Sequence, residues 1–87
     1  MRFEFDAAKS ATNKEKHGID FVEDQALWSD VDRLEIPARS GDEPRFQVIG
    51  RIGTLIWSVF VTYRHETIRI ISVRRARSDE EARYLAE

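Results

Sequence analysis

Polar and apolar residues alternate through Arg2-Phe3-Glu4-Phe5, the period of a short strand. Asp6 follows in the position of an N-cap, for a helix over Ala7 to about His17, and Gly18 offers the left-handed residue that stops it. Within that helix Lys9, Asn13, Lys16 and His17 fall at i, i+4, i+7 and i+8 and share one face. Ala7, Ala8 and Ala11 form a smooth opposite side that would let the helix lie close to a sheet. Asp20 opens a second helix. Glu23 stands three residues on, as in a capping box, and Phe21, Val22, Ala26, Leu27 and Trp28 supply the apolar side before an end near Ser29-Asp30.

Beyond Asp30 the helical repeat gives way to strict alternation. Strands are predicted at about residues 32–36, 45–51, 54–63 and 67–75, with breaks at Pro37, Ser40-Gly41-Asp42, Gly53 and Arg64-His65-Glu66. The near-continuous apolar run from Leu55 to Val61 reads as a central strand covered on both faces. Ser78 and Glu81 then form an S-x-x-E capping box for a terminal helix over residues 79–86. The order is β-α-α-β-β-β-β-α. It predicts one α+β domain over residues 1–87, an antiparallel sheet with two N-terminal helices and a C-terminal helix packed on it.

Length and composition narrow the classes. A chain of 87 residues buries only about 60–65% of its unfolded surface, so a standing partner would help its stability. At 41% hydrophobic and 34% charged it is globular rather than disordered, and with no cysteine it has no disulfide framework. Met1 to Asp6 contains two acids and no hydrophobic run, and the longest apolar stretch is too short to span a bilayer. A cytoplasmic protein without membrane contact is expected.

The net charge of −2 conceals a segregation. Residues 1–36 are acidic, with nine acids against five bases, and residues 78–87 carry four acids and one arginine. Between them, residues 37–77 hold eight arginines, no lysine and three acids. Arginine is common on solvated strand edges, and it is also the side chain that grips phosphate through two parallel hydrogen bonds. Charge alone leaves both readings open. So does the stripe of Lys9, Lys16 and His17, which is either a solvated face or a basic track ending in an imidazole, the side chain that changes charge near neutral pH.

Strand alternation sends Arg69 and Arg75 to one face and Arg74 to the other, so the arginines share a face only if a bulge intervenes. Glu66 and His65 add an acid and a second imidazole at the hairpin. Phe46 and Tyr63 are aromatic candidates for base stacking, or for the core. No HExxH, Cys/His metal spacing, glycine-rich phosphate loop or GxSxG elbow occurs, so neither a metal nor a cofactor is expected.

These residues together carry a resemblance. Phe3-Glu4-Phe5-Asp6, Lys9, Asn13 and Lys16-His17-Gly18-Ile19-Asp20-Phe21 resemble the opening F-x-W/F-D-x-x-K-x-x-x-N-x-x-K-H-G-V-x-F of the BrnT toxin family. Gly41-Asp42-Glu43-Pro44-Arg45-Phe46 with Ile49-Gly50 is similar to its G-E-x-R…I-G segment, with one extra residue after the glycine. Arg64 followed by Ile68-Arg69-Ile70-Ile71-Ser72-Val73-Arg74-Arg75-Ala76 looks like its R…I-R-I-I-S-A-R-x-A signature. Departures are Phe5 where tryptophan is commoner, Val73 for alanine, and His65-Glu66 at a turn that often contains glycine.

The resemblance implies a RelE-like fold, ribonuclease toxin activity, and neutralisation by a BrnA-like antitoxin. The resemblance further implies that this antitoxin carries a ribbon-helix-helix domain, with two copies expected to pair with two toxins and to reach operator DNA. Arg64, Arg69 and Arg74 match family arginines, whereas Arg75 falls at a variable position, and Lys9, Lys16 and His17 match the N-terminal motif. RNA brings its own nucleophile, the 2′-hydroxyl, so cleavage needs alignment, cationic clamps and two proton transfers rather than a metal-bound water. On this reading Arg64, Arg69 and Arg74 hold phosphates, His17 moves protons, and Glu66 is a weaker candidate for base. Lys9, Lys16 and Arg75 would bind RNA. The alternative is a non-catalytic partner module whose basic surface only binds the antitoxin and contributes to operator binding.

Overall fold

Three reversals fold the last four strands of the chain into a meander, the larger part of one mixed sheet. The structure, a computed structural model, describes residues 2–38, 41 and 43–86. Its elements are β1 (Arg2–Glu4), α1 (Ala7–His17), a 3₁₀ helix (Glu23–Ser29), β2 (Leu34–Ala38), β3 (Arg45–Ile52), β4 (Leu55–Arg64), β5 (Thr67–Arg75) and α2 (Ser78–Ala86). The sheet order is β1-β5-β4-β3-β2. β2 to β5 form an antiparallel meander, as expected, but β1 pairs with β5 in parallel, so the sheet is mixed rather than antiparallel throughout. The chain must cross from one sheet edge to the other before the meander begins, and that crossing turns β1 parallel to β5. Ser40 and Asp42 of the predicted break lie outside the described residues. No helix among the described residues is long and apolar enough to cross a membrane.

Local signals set the boundaries where they act on the backbone. The Asp6 carboxylate accepts the Ala8 and Lys9 N–H groups at 2.9 and 3.1 Å, and Gly18 closes α1 at φ 77°. The Asp20–Glu23 capping box forms in both directions: Asp20 N–H donates to Glu23 Oε1 at 2.9 Å and Glu23 N–H to Asp20 Oδ1 at 2.8 Å. The segment it opens winds as a 3₁₀ helix rather than an α-helix, and of its expected apolar side Phe21 and Leu27 are buried while Val22 is exposed. Gly50 on β3 admits this tight approach, since a Cβ there would lie 2.7 Å from Leu27 Cγ. α2 is capped one residue earlier than predicted: Arg77 N–H donates to Glu80 Oε1 at 2.9 Å, and Glu81 N–H reaches the Arg77 carbonyl.

The alanine side of α1 does not pack on the sheet. Ala7, Ala8 and Ala11 are exposed, and Ser10 and Asn13 are the buried residues. Polar contacts outcompete smooth packing here because they satisfy backbone groups at a sheet edge. β1 ends at the Glu4–Arg69 pair, and beyond it Asn13 takes the place of a partner strand. Its amide donates to the carbonyls of Val73 and Ile19, both at 2.8 Å, and its oxygen accepts Val73 N–H at 3.2 Å. The Ser10 hydroxyl accepts Phe21 N–H at 2.9 Å. α1 thus lies along the outer edge of β5.

One face of the sheet carries the larger core, in which Val48, Val59, Val61, Ile68, Ile70 and Val73 meet Ile19, Phe21 and Leu27. The other packs Ile49 and Ile56 against Tyr84 of α2, with Leu34 and Ile36 beside them. β4 runs through the centre, buried on both faces.

Candidate functional site

A break in strand alternation builds the site. Phe60 pairs with Ser72 but Val61 pairs with Ile70, leaving Ile71 as the extra residue of a bulge in β5. The bulge reverses the pleat, so Arg69, beside Thr62, and Arg74, beside Ser58, lie on one face together with Arg64. Arg75 lies on the opposite face, 5.5 Å over the ring of Trp57. The condition for gathering the arginines is met for Arg64, Arg69 and Arg74, and Arg75 is the one excluded.

Two adjoining clefts run between α1 and this arginine face. The larger, about 340 Å³, is lined by Lys9, Asn13, Lys16 and His17 of α1 and by Ile71 and Ser72 of β5. The four residues of the helical stripe therefore open onto one cavity. The smaller cleft, about 200 Å³, is lined by Arg45, Arg64, Arg69 and Thr62 of the sheet, by Asp6 and Lys9 at the start of α1, and by Glu43. Lys9 and Ile71 belong to both clefts, so they form one groove along the bulged strand.

Each of the three gathered arginines holds a carboxylate. Arg64 Nη2 lies 3.1 Å from Glu43, Arg69 Nη1 lies 2.9 Å from Glu4, and Arg74 Nη1 lies 2.8 Å from Glu80. The first pair is half-exposed and the second partly so. The third is not: its side chains are 22% and 14% exposed, and both guanidinium nitrogens engage Glu80 at 2.8 Å. Glu80 also accepts from Gln47, Ser58 and the Arg77 N–H, and Arg74 stacks 5.4 Å over Phe60. The Arg74 guanidinium first, then the other donors, hold the Glu80 carboxyl down at about 2. Arg74 thus joins β5 to α2, and it lines neither cleft.

Glu66 sits at the exposed β4–β5 turn, where its carbonyl accepts Arg2 N–H at 3.4 Å, and its side chain lines neither cleft. His65 takes the left-handed conformation there, φ 58°. Phe46 and Tyr63 form a tilted pair 5.2 Å apart. Phe46 packs against the larger core, the Tyr63 hydroxyl donates to Glu35, and Tyr63 alternates to the face away from Arg64. Among the described residues, no three His, Asp or Glu side chains are grouped as a metal ion would require.

Arg45, Thr62 and Glu43 were not singled out for chemistry in the sequence, yet they wall the smaller cleft. Two signals for them were legible. Thr62 stands two residues before Arg64 on the same strand face, and Glu43 and Arg45 fall within the G-D-E-P-R segment. Comparison with curated proteins finds no match. The family model described as "Ribonuclease toxin, BrnT, of type II toxin-antitoxin system" matches residues 5–80. That match spans most of the chain, and the chain belongs to the BrnT family of ribonuclease toxins of type II toxin–antitoxin systems.

Proposed function

We propose that the groove between α1 and β5 binds an RNA backbone and cleaves it without a metal. The observation that carries this reading is the continuity of the two clefts, which sets the Lys9, Lys16 and His17 stripe beside Arg64 and Arg69. The 2′-hydroxyl oxygen attacks the adjacent phosphorus and gives up its proton, the bond from phosphorus to the 5′-oxygen breaks, and that oxygen takes a proton. The products are a 2′,3′-cyclic phosphate and a 5′-hydroxyl. His17 is the proton-transfer group, Lys9 and Lys16 track the backbone, and Arg64 and Arg69 hold the scissile and adjacent phosphates, where they neutralise charge growing on the phosphoryl oxygens. Arg74 supports this face through Glu80, and the positions of Glu66 and Arg75 lend no support to direct roles. A single strand suits the groove because its backbone reaches the in-line geometry.

Two helical segments before the meander and one after it support the RelE-like reading of the fold. The family's type II character implies an antitoxin. We take it to be BrnA-like, with a ribbon-helix-helix domain that reaches operator DNA, and the site of action to be the cytoplasm. The test is incubation of the folded protein with RNA in excess EDTA, followed by end-group analysis. Cleavage leaving a cyclic or 3′-phosphate is expected, reduced at least about 100-fold in Arg64→Ala and His17→Ala. Intact RNA favours the non-catalytic partner module, a requirement for a divalent ion sinks the metal-free mechanism, and unchanged activity in both variants removes Arg64 and His17 from the chemistry.

A further inference from the structure

The smaller cleft contains a carboxylate that the cleavage chemistry leaves unused. Four cations, Lys9, Arg45, Arg64 and Arg69, face it together with Asp6 and Glu43. Asp6 is committed to capping α1. Glu43 instead rests on the guanidinium of Arg64, at 3.1 and 3.3 Å, in a pair whose side chains are about half-exposed. Such a pair is worth little and is open to exchange with an incoming anion. The position of Glu43 is nevertheless defined, because the Thr62 hydroxyl donates to the carbonyl of the next residue, Pro44, at 2.9 Å. The Thr62 hydroxyl and then the Arg64 guanidinium also hold the Glu43 carboxyl below the usual carboxylate range, so it is an anion at neutral pH.

We propose that this cleft is a phosphate subsite for the RNA backbone flanking the cleavage position, and that Glu43 is its resident competitor. In the free protein the carboxylate occupies Arg64. A phosphodiester displaces it and is then shared by Arg45, Arg64 and Arg69. The inference rests on reading the groove as the RNA path. A phosphate fits better than an acidic protein segment. An external carboxylate repeats what Glu43 already offers at high effective concentration, whereas a tetrahedral phosphate presents oxygens to several guanidinium forks at once. Arg45 becomes a binding residue, and Glu43 sets how tightly the flanking phosphate is held.

Inorganic phosphate, titrated into the full chain without RNA while the arginine Nε–H resonances are followed, tests this directly. Saturable shifts are expected at Arg45, Arg64 and Arg69. Glu43→Gln should bind phosphate about two- to fivefold more tightly, the worth of a half-exposed ion pair, and Arg45→Ala should bind it more weakly by a similar factor. On RNA, Glu43→Gln should lower KM. Arginine resonances that do not move with phosphate, or a Glu43→Gln affinity no higher than wild type, overturn the subsite. Acetate binding as tightly as phosphate also overturns it, and points to an acidic protein segment as the occupant. If phosphate behaves as expected but RNA is never cut, the anion site stands and the cleavage reading falls. If RNA is cut but Glu43→Gln changes neither phosphate affinity nor KM, the cleavage reading stands and the subsite falls.

Discussion

Asp24 shows how one residue can set the pH response of the whole chain. Its side chain is fully buried and neither carboxylate oxygen has a hydrogen-bond partner. Burial first, then the neighbouring charges of Asp20 and Glu23, push its carboxyl up to about 8. The folded state therefore keeps a proton that the unfolded chain releases near pH 4. Stability is complete below that unfolded value, falls as pH rises, and levels off above about 8. Between pH 5 and 8 the loss should be about 2–4 kcal/mol, at 1.36 kcal/mol per unit of full titration. Asp24→Asn, a neutral side chain of the same shape, should remove that slope. Denaturant midpoints at the two pH values check this, and a flat wild-type profile would refute it. Nothing in Glu23-Asp24-Gln25 marks the middle residue as the buried one, because a polar run gives no sign of which side chain a tight 3₁₀ turn rotates inward. Lys9, Asn13, Lys16 and His17 were legible for the opposite reason: a capped α-helix fixes which residues share a face.

At the scale of elements, legibility followed the range of the interaction. α1 runs over Ala7–His17 and β5 over Thr67–Arg75, as read from the sequence, because a cap, a stop glycine and regular alternation are local. The parallel pairing of a three-residue β1 with β5 depends on a contact some sixty residues away, and no periodicity encodes it. The bulge at Ile71 was foreseen only as a condition, and it decides which arginines meet. The junction of β5 with α2 was invisible, since Arg74 resembled any strand-end arginine and the capping glutamate is Glu80, not Glu81. Arg74→Ala strands a nearly buried carboxylate and should destabilise the fold by about 1.5–3 kcal/mol. Arg74→Ala with Glu80→Ala together should cost less than the sum of the two, by about 1 kcal/mol or more. Glu80 ionises at about 2 when folded, so its contribution is present above the ordinary carboxylate range and fades as pH falls toward that value. Denaturant unfolding of the four-member cycle measures the coupling, and strict additivity would show that Arg74 is free to serve the groove instead.

At the scale of the molecule, an inhibitor that blocks the proposed cleavage would have to cover the groove. The protein exposes 5660 Å² within extents of 31 × 27 × 24 Å. A standard interface takes about 800 Å² from each partner, enough to span both clefts. A segment lying there would meet Lys9, Lys16 and Arg64 and needs acidic side chains to match them. Occlusion of this kind would silence the toxin without unfolding it. A ribbon-helix-helix antitoxin dimer would seat one toxin on each subunit, so the co-expressed pair should have the mass of two toxins with two antitoxins and cut no RNA. If acidic side chains of the partner meet these cations, raising salt from about 0.1 to 1 M should weaken the complex. Lys16→Glu or Arg64→Glu should each raise Kd about tenfold or more, since a reversed charge opposes the acid it meets. Scattering gives the stoichiometry and a binding titration gives the constants. A one-to-one assembly would overturn the pairing, and a complex that still cleaves RNA would place the antitoxin on another face of the sheet.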